Sequence, residues 1–370
     1  MLIFKRDLEP ILRKNLFKNK VIIIYGPRQA GKTTLSKKLL EEYKEDGQYF
    51  DCQLIEVRDS FEEGNPAKLK QLIGDKKIVV FDEAQTIQNI GTILKVFHDH
   101  YGGVQIIATG SSSFDLANKI IEPLTGRSLE YVLFPLSISE IKKAKQIDEA
   151  YLMNILKYGS YPEIIALDSI DEKESTLKNI ATNYLYKDIF TLEQIKYPII
   201  FEKLLKALAY QVGSIVSSDE LARLVKTSPS TVNRYLKLLE QAFIIKIVRA
   251  FSNNPRLELS KAFKVYFMDN GVRNVLAGIH QDIIDREDKG GIFENFYFTE
   301  IMKKNTLITF PSDLMFWRTR QQLEIDFIEK MGTEIMATEC KWGNEKVVFT
   351  KFLSLYPEAK VGVVRVQDFL

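Results

Sequence analysis

One loop constrains this chain more than any other feature in it. The segment GPRQAGKT, Gly26 to Thr33, follows directly on the apolar run Val21–Tyr25. It is followed by Leu35, Leu39 and Tyr43 at helical spacing. β-Branching and length make the first run a buried strand. Gly-x4-Gly-Lys-Thr between a strand and a helix is a phosphate-binding loop rather than a chance glycine-rich turn. Gly26 and Gly31 let backbone N–H groups curl round phosphate oxygens, and the helix N-terminus adds partial positive charge. The expected nucleotide cradle is Gly26, Pro27, Arg28, Gln29, Ala30, Gly31, Lys32, Thr33 and Thr34. Lys32 would reach the β- and γ-phosphates, and the Thr33 hydroxyl would be a magnesium ligand. The fold this implies is α/β, a parallel sheet between helices.

A second element answers the loop. KIVVFDEAQ reads as a buried strand, Ile78–Phe81, ending in Asp82-Glu83. Asp82 would hold magnesium and Glu83 would orient or deprotonate water beside the γ-phosphate. A third strand, Val104–Ala108, ends in Thr109, Ser111, Ser112 and Ser113. In ATPases with an extra strand between the two motifs, a γ-phosphate sensor stands here, and Ser111 is the candidate. An ordinary serine-rich loop or helix cap explains any one of these serines equally well. Arg127, in LTGRSLE, is either a sensor, a finger directed at a neighbouring subunit's phosphate, or a surface arginine. Arg28 is a further candidate inside the loop. A finger acting in trans would require a homo-oligomer.

The remaining composition narrows the class. The chain has 370 residues and a net charge of +2, so affinity for nucleic acid must come from a local patch. At roughly 100–200 residues per domain it should hold two or three domains. Cys52 and Cys340 are far apart and lie in apolar runs, so no disulfide framework is expected and a reducing cytoplasm fits. His98, His100 and His280 form no zinc-ligand spacing with them. MLIFKRDLEP has no long apolar core, so no signal peptide is expected. The longest apolar runs fall far below the ~20 residues that span a bilayer.

The expected organisation is a P-loop core over 1–135, a helical lid over 136–200, a winged helix over 201–270 and a C-terminal domain over 271–370. In the lid, YGSYPEII reads as a turn between helices, and NYLYKDIF as either core packing or lid closure. In the third segment a helix is followed by DELARLV, with Ser218 as its expected cap. PSTVNRYLKLLEQ comes next, with Ser228 as cap and Pro229 first inside. Two strand-like runs then flank the polar tip FSNNPRLELS, the order of a winged helix. Val232, Tyr235, Leu236 and Leu239 should face inward, and Thr231, Asn233, Arg234 and Lys237 outward. Residues 201–270 hold eleven Lys/Arg against six Asp/Glu. Thr231, Arg234 and Lys237 are the candidate contacts to duplex DNA, and a protein-packing role is the rival reading.

In the last segment LEIDFIEKMGTEIMATECKW is two alternating runs around a turn. With Met331-Gly332 as a two-residue loop, Lys330 pairs with Thr333 and Glu324 falls opposite Glu339. Asp326, Glu339 and Lys341 then share one face, while Ile325, Phe327, Met336 and Cys340 fill a core on the other. Asp…Glu-x-Lys on adjacent strands is a divalent-metal phosphodiesterase arrangement. The carboxylates would hold magnesium or manganese, and Glu294 on the preceding helix would complete the shell. An exposed hairpin of alternating charge is the plain alternative.

GPRQAGKTTL, VVFDEAQ, TGSSSF, LTGR, GSYPE, NYLYKDI, FMDNGVRN, FENFYFTE and EIDFI with ECKW together resemble a large family of uncharacterised prokaryotic ATPases. That family joins an AAA-type P-loop domain to a C-terminal domain of unknown function related to PD-(D/E)xK nucleases. The resemblance implies ATP and magnesium at Lys32, Thr33, Asp82 and Glu83, and the arginine role for Arg127. For the C-terminal part it implies a fold and not an activity. The proline of the nuclease motif is absent, since Ile325 precedes Asp326. The expectation is a cytoplasmic ATP-hydrolysing machine acting on or near DNA. The rivals are a nucleotide-gated switch whose C-terminal modules only bind, and a nuclease whose ATPase loads substrate.

Overall fold

The computed structural model describes residues 4–62, 66–111, 124–183, 195–251 and 262–370. Ser112, Ser113, residues 184–190 of NYLYKDIF and nearly all of the wing tip lie outside them. The chain forms two compact units. One runs up to Leu136 and includes Gln241–Phe243; the other comprises Ser137–Glu240 and Ile244–Leu370. The lid, winged-helix and C-terminal segments all belong to the second unit.

The first unit is a five-stranded parallel sheet built from β1 (Val21–Tyr25), β2 (Gly47–Asp51), β3 (Ile78–Asp82), β4 (Gln105–Gly110) and β5 (Ser128–Val132). Their order is β2-β3-β4-β1-β5. The extra strand β4 therefore lies between β1, which leads into the phosphate loop, and β3, which ends in Asp82. All of β3 and β4 is buried, as both-face coverage by helices requires of a parallel sheet. Val79, Phe81, Ile106 and Ala108 pack in one core with Leu69, Ile93, Leu94 and Phe97 from the flanking helices.

The second unit begins with helices that pack on the helix Asn270–Ala277. Here the turn GSYPE has a definite role. Gly159 adopts φ 80°, and a Cβ there would lie 2.0 Å from Asp269 Oδ1. Asp269 accepts from the backbone N–H of Ser160 at 2.8 Å and of Val272 at 3.1 Å, so it ties the turn to the next helix's N-terminus. Asn295 bridges Asn270 and both backbone groups of Phe267. Buried Arg273 pairs with Asp288 at 2.8 Å and donates to the Ala209 carbonyl at 2.6 Å. The segments GSYPE, FMDNGVRN and FENFYFTE thus share one buried hydrogen-bonded network, in which Arg273 Nη2 is left without a partner among the described residues.

The third segment contains the helix Pro198–Tyr210, β6 (Ile215–Ser217), the helices Ser218–Val225 and Pro229–Gln241, β7 (Ile245–Arg249) and β8 (Ala262–Phe267). The sheet order is β6-β8-β7, antiparallel. Val232, Tyr235, Leu236 and Leu239 are buried. Asn233, Arg234 and Lys237 are exposed, with Thr231 half-buried. One cap differs from expectation: Ser217 accepts from the Glu220 N–H, while Ser218 bonds Asn233 instead. Ser217 has the extended backbone a cap needs. Ser228 does accept from the Thr231 N–H.

The C-terminal segment runs helix Lys289–Asn305, β9 (Asp313–Arg318), β10 (Glu324–Met331), β11 (Glu334–Lys341), helix Thr350–Leu355 and β12 (Lys360–Arg365). The sheet order is β12-β11-β10-β9. The hairpin differs from the expected register. Met331 pairs with Glu334 and Lys330 with Ile335, so the loop is Gly332-Thr333. Gly332 takes φ 61° at the first loop position, which a loop centred on Met331-Gly332 would have forced on methionine. The change is an even number of residues, so it leaves the faces unchanged. Continuing the register places Asp326 opposite Glu339.

A β-bulge between Ile325 and Ile328 corrects a second expectation. Ile325 and Ile328 pack with Trp317, Ala337 and Phe352. Phe327 instead meets Tyr266 and Tyr297, with ring centroids 5.4 and 5.7 Å away. The bulge breaks strict alternation, so Ile325 and Phe327 enter different cores.

Candidate functional site

The carboxyl ends of β1, β3 and β4 gather the first set of residues. Gly31 takes φ 98° at the start of the helix Lys32–Leu40. A Cβ on Gly26 would sit 2.3 Å from the Leu133 carbonyl oxygen, so the loop tolerates no side chain there. Lys32 Nζ donates to the carbonyls of Gly26 and Pro27 at 2.9 and 2.8 Å. Arg6 braces the loop from outside, donating to Ala30 and Phe134 carbonyls, each at 2.6 Å.

Asp82 is held by three hydroxyls. Thr33 Oγ1 and Tyr49 OH donate to Oδ2 at 2.7 and 2.6 Å, and Thr109 donates to Oδ1. Burial and the Asp82 carboxylate push the Tyr49 phenol far above its usual pKa, so it stays a donor. Thr109 also accepts from the Glu83 N–H at 3.1 Å. Glu83 has φ 52°, a left-handed conformation that a non-glycine residue adopts at a cost. Gln85 Nε2 donates to Glu83 Oε2 at 2.6 Å and to Ser111 Oγ at 3.3 Å. The donor set suits magnesium and nucleotide: a threonine hydroxyl already bonded to an acidic side chain, beside a lysine whose ammonium donates to two loop carbonyls.

Lys32, Thr33, Asp82, Glu83 and Ser111 are thus brought together. Arg127 is not. It lies just before β5, where its carbonyl accepts from the Val21 N–H at the start of β1, the end remote from the loop. Its guanidinium donates to Asp99 at 2.7 Å. This placement gives Arg127 no reach to the phosphates of its own loop. Arg28 is half-buried within the loop.

The second set forms in the other unit. Glu294, Glu324 and Asp326 converge, and Asp326 also neighbours Glu339. Lys264, from β8, stands among Glu294, Glu324 and Asp326. Its Nζ lies 2.6 Å from Glu324, 2.9 Å from Glu294 and 3.6 Å from Asp326. Lys264 is 1% exposed. Tyr266 OH donates to Glu294 at 2.5 Å, and the Cys340 N–H donates to Asp326 at 2.9 Å. Lys341 donates to Glu339 at 2.7 Å. Burial lowers the Lys264 pKa, but the carboxylates of Glu294, Asp326 and Glu324 outweigh it and hold the ammonium charged. This donor set does not fit magnesium or manganese, because a cation is already built into it. Among the described residues no group of three or more His, Cys, Asp and Glu side chains is arranged to hold a metal.

Residues 18–142 match the family model described as an AAA domain. Residues 149–283 match a domain of unknown function (DUF8612), and residues 289–368 a second one (DUF4143). Uncharacterised proteins of Mycobacterium tuberculosis and Mycobacterium bovis are each 27% identical over 343 residues, covering 90% of this chain and 73% of theirs. One from Methanocaldococcus jannaschii is 27% identical over 349 residues, covering 88% and 75%. The matches support an AAA-type ATPase family. A Pif1 helicase structure from Candida albicans aligns over 48% of each chain at 12% identity and a TM-score of 0.27, too weak a likeness to bear on the fold.

Around the AAA domain's loop, sequence reasoning missed Arg6, Tyr49, Thr109 as the bridge, and Gln85. Only Gln85 left a signal, two residues after Glu83 in DEAQ. In the other unit it missed Lys264, which read as one more basic residue of a DNA-binding wing. Burial commits that charge internally, so the exposed basic balance of the winged-helix segment is smaller than the count suggested.

The carboxylate cluster predicts a pH dependence. Burial pushes Glu294 and Glu339 up from 4.5 to about 7 each, with Asp326 raising both. A raised carboxyl pKa favours the folded state fully below the unfolded value. That contribution is lost as pH rises from about 4.5 through about 7. Glu294→Gln should flatten this decline in thermal melts taken between those limits and above. An unchanged slope would assign the decline to other groups.

Proposed function

We propose that this chain hydrolyses ATP with magnesium in its AAA domain and that the cycle works a winged helix that contacts duplex DNA. The observation that carries the ATPase reading is the Thr33 hydroxyl on the Asp82 carboxylate, with Glu83 next in the chain and Gln85 tying Glu83 to Ser111. Bound magnesium would neutralise phosphate charge, held by Thr33 and by Asp82 through water. Lys32 exchanges two carbonyl partners for phosphate oxygens, a favourable trade because charge-assisted bonds to phosphate are stronger than bonds to neutral carbonyls. Glu83 orients the attacking water and accepts its proton. Gln85 fixes the direction of that carboxylate, and Ser111, which accepts from the same amide at 3.3 Å, would sense the terminal phosphate. The test is phosphate release by the purified chain, which Lys32→Ala should abolish together with tight nucleotide binding.

Exposed Arg234 and Lys237 on the helix Pro229–Gln241 support the DNA reading. Duplex DNA should bind with an affinity that falls as salt rises, by a log–log slope near −0.9 per phosphate contact. Removing both side chains should flatten the slope by about two units if each meets one phosphate. A slope that does not change would return this segment to protein packing. For the C-terminal domain, Lys264 favours the rival reading, a binding module in a nucleotide-gated switch, over metal-dependent cutting.

A further inference from the structure

We propose that Lys264 is a resident cation of the C-terminal domain, delivered from β8 to the point where Glu294, Glu324 and Asp326 converge, and that it occupies the position a divalent metal would need. Two residues of β8 aim at the same acid. Lys264 and Tyr266 are two apart, so they share a face of the strand, and both reach Glu294 Oε1, at 2.9 and 2.5 Å. The ammonium also reaches Glu324 at 2.6 Å and Asp326 at 3.6 Å. The other Asp326 oxygen is used by the Cys340 N–H. The Lys264 ammonium passes 5.7 Å from the centre of the Phe316 ring, which helps close the site to water.

A magnesium or manganese ion needs several unobstructed oxygens at about 2.0–2.2 Å. An ammonium already hydrogen-bonded to two of these carboxylates excludes that arrangement. The acids are buried and near one another, so they need a positive charge. Lys264 supplies it without any ion from solution, and by doing so fastens the winged-helix sheet to the C-terminal sheet. The carboxylates that look like a metal site are the receptor for a strand of the same chain. This inference is independent of the ATPase reading, and its test uses no nucleotide.

Manganese binding to the full chain would be measured from the electron paramagnetic resonance of free Mn2+. Wild type, Asp326→Ala, Lys264→Ala and the double variant Lys264→Ala/Asp326→Ala would be compared. Any ion near Asp82 contributes equally to all four and cancels. Wild type and Asp326→Ala should bind the same amount. Lys264→Ala should gain one equivalent, which the double variant loses. Loss of an equivalent from wild type on Asp326→Ala would overturn the proposal, because the ion would then coexist with the lysine. If Lys264→Ala fails to fold, Lys264→Met, which keeps a side chain of similar length and leaves all three carboxylates in place, should show the same gain. Absence of a gain in a variant shown by circular dichroism to be folded would overturn it equally.

Discussion

Glu83→Gln should lower ATP turnover by about 10²–10⁴-fold, the contribution typical of a positioned general base, while nucleotide stays bound. Two features make the expectation specific. Glu83 is held in a left-handed backbone conformation at φ 52°, directly after Asp82. Its carboxylate accepts from Gln85 at 2.6 Å. Glutamine at 83 keeps the size of the side chain and removes only its basicity, so the binding residues are undisturbed. Lys32→Ala should do the opposite and fail at the binding step. Phosphate release and the binding of a fluorescent nucleotide, measured on the same preparations, separate the two. Turnover by Glu83→Gln at the wild-type rate would falsify the assignment of the water-orienting role.

Gly271→Ala should cost the second unit about 3 kcal/mol or more, at the upper end of overpacking effects. Gly271 lies in the first turn of the helix Asn270–Ala277, and a Cβ there would stand 2.1 Å from the Tyr158 carbonyl oxygen and 2.5 Å from its carbon. Both are backbone atoms, and the neighbouring Gly159-Ser160 turn is pinned by Asp269. The clash therefore cannot be relieved by a rotamer change. At about 2–4 °C per kcal/mol for a unit of this size, the melting temperature should fall by about 6–12 °C. Gly290→Ala is the control. That glycine is also helical, but nothing lies within 4 Å of its added Cβ. Alanine there should be neutral or stabilise by up to about 1 kcal/mol. Equal melting temperatures for the two variants would show that the helices are not packed as closely as these distances require.

The sequence by itself determined what local chemistry controls. Strand, glycine loop and helix at 21–40 follow from residue type and period alone, because a phosphate loop is a contiguous device. The acidic strand end at Asp82-Glu83 and the polar end of β4 were legible for the same reason. So was the sharing of one face by Glu339 and Lys341, two residues apart on β11, since a period of two survives an even change of register. Only the tertiary structure decided which groups meet across the chain. Alternation says which face a side chain takes and nothing about its partner, so Lys264 looked like a surface charge until β8 carried it to Glu294, Glu324 and Asp326. Tyr49 on Asp82 and Asp269 on Ser160 are likewise contacts between distant segments. Arg127 shows the converse: its motif suggested a phosphate ligand, but parallel pairing with β1 fixed it at the far end of the sheet. The turn at Gly332 and the bulge at Asp326 were settled by backbone conformation, which residue periodicity does not encode.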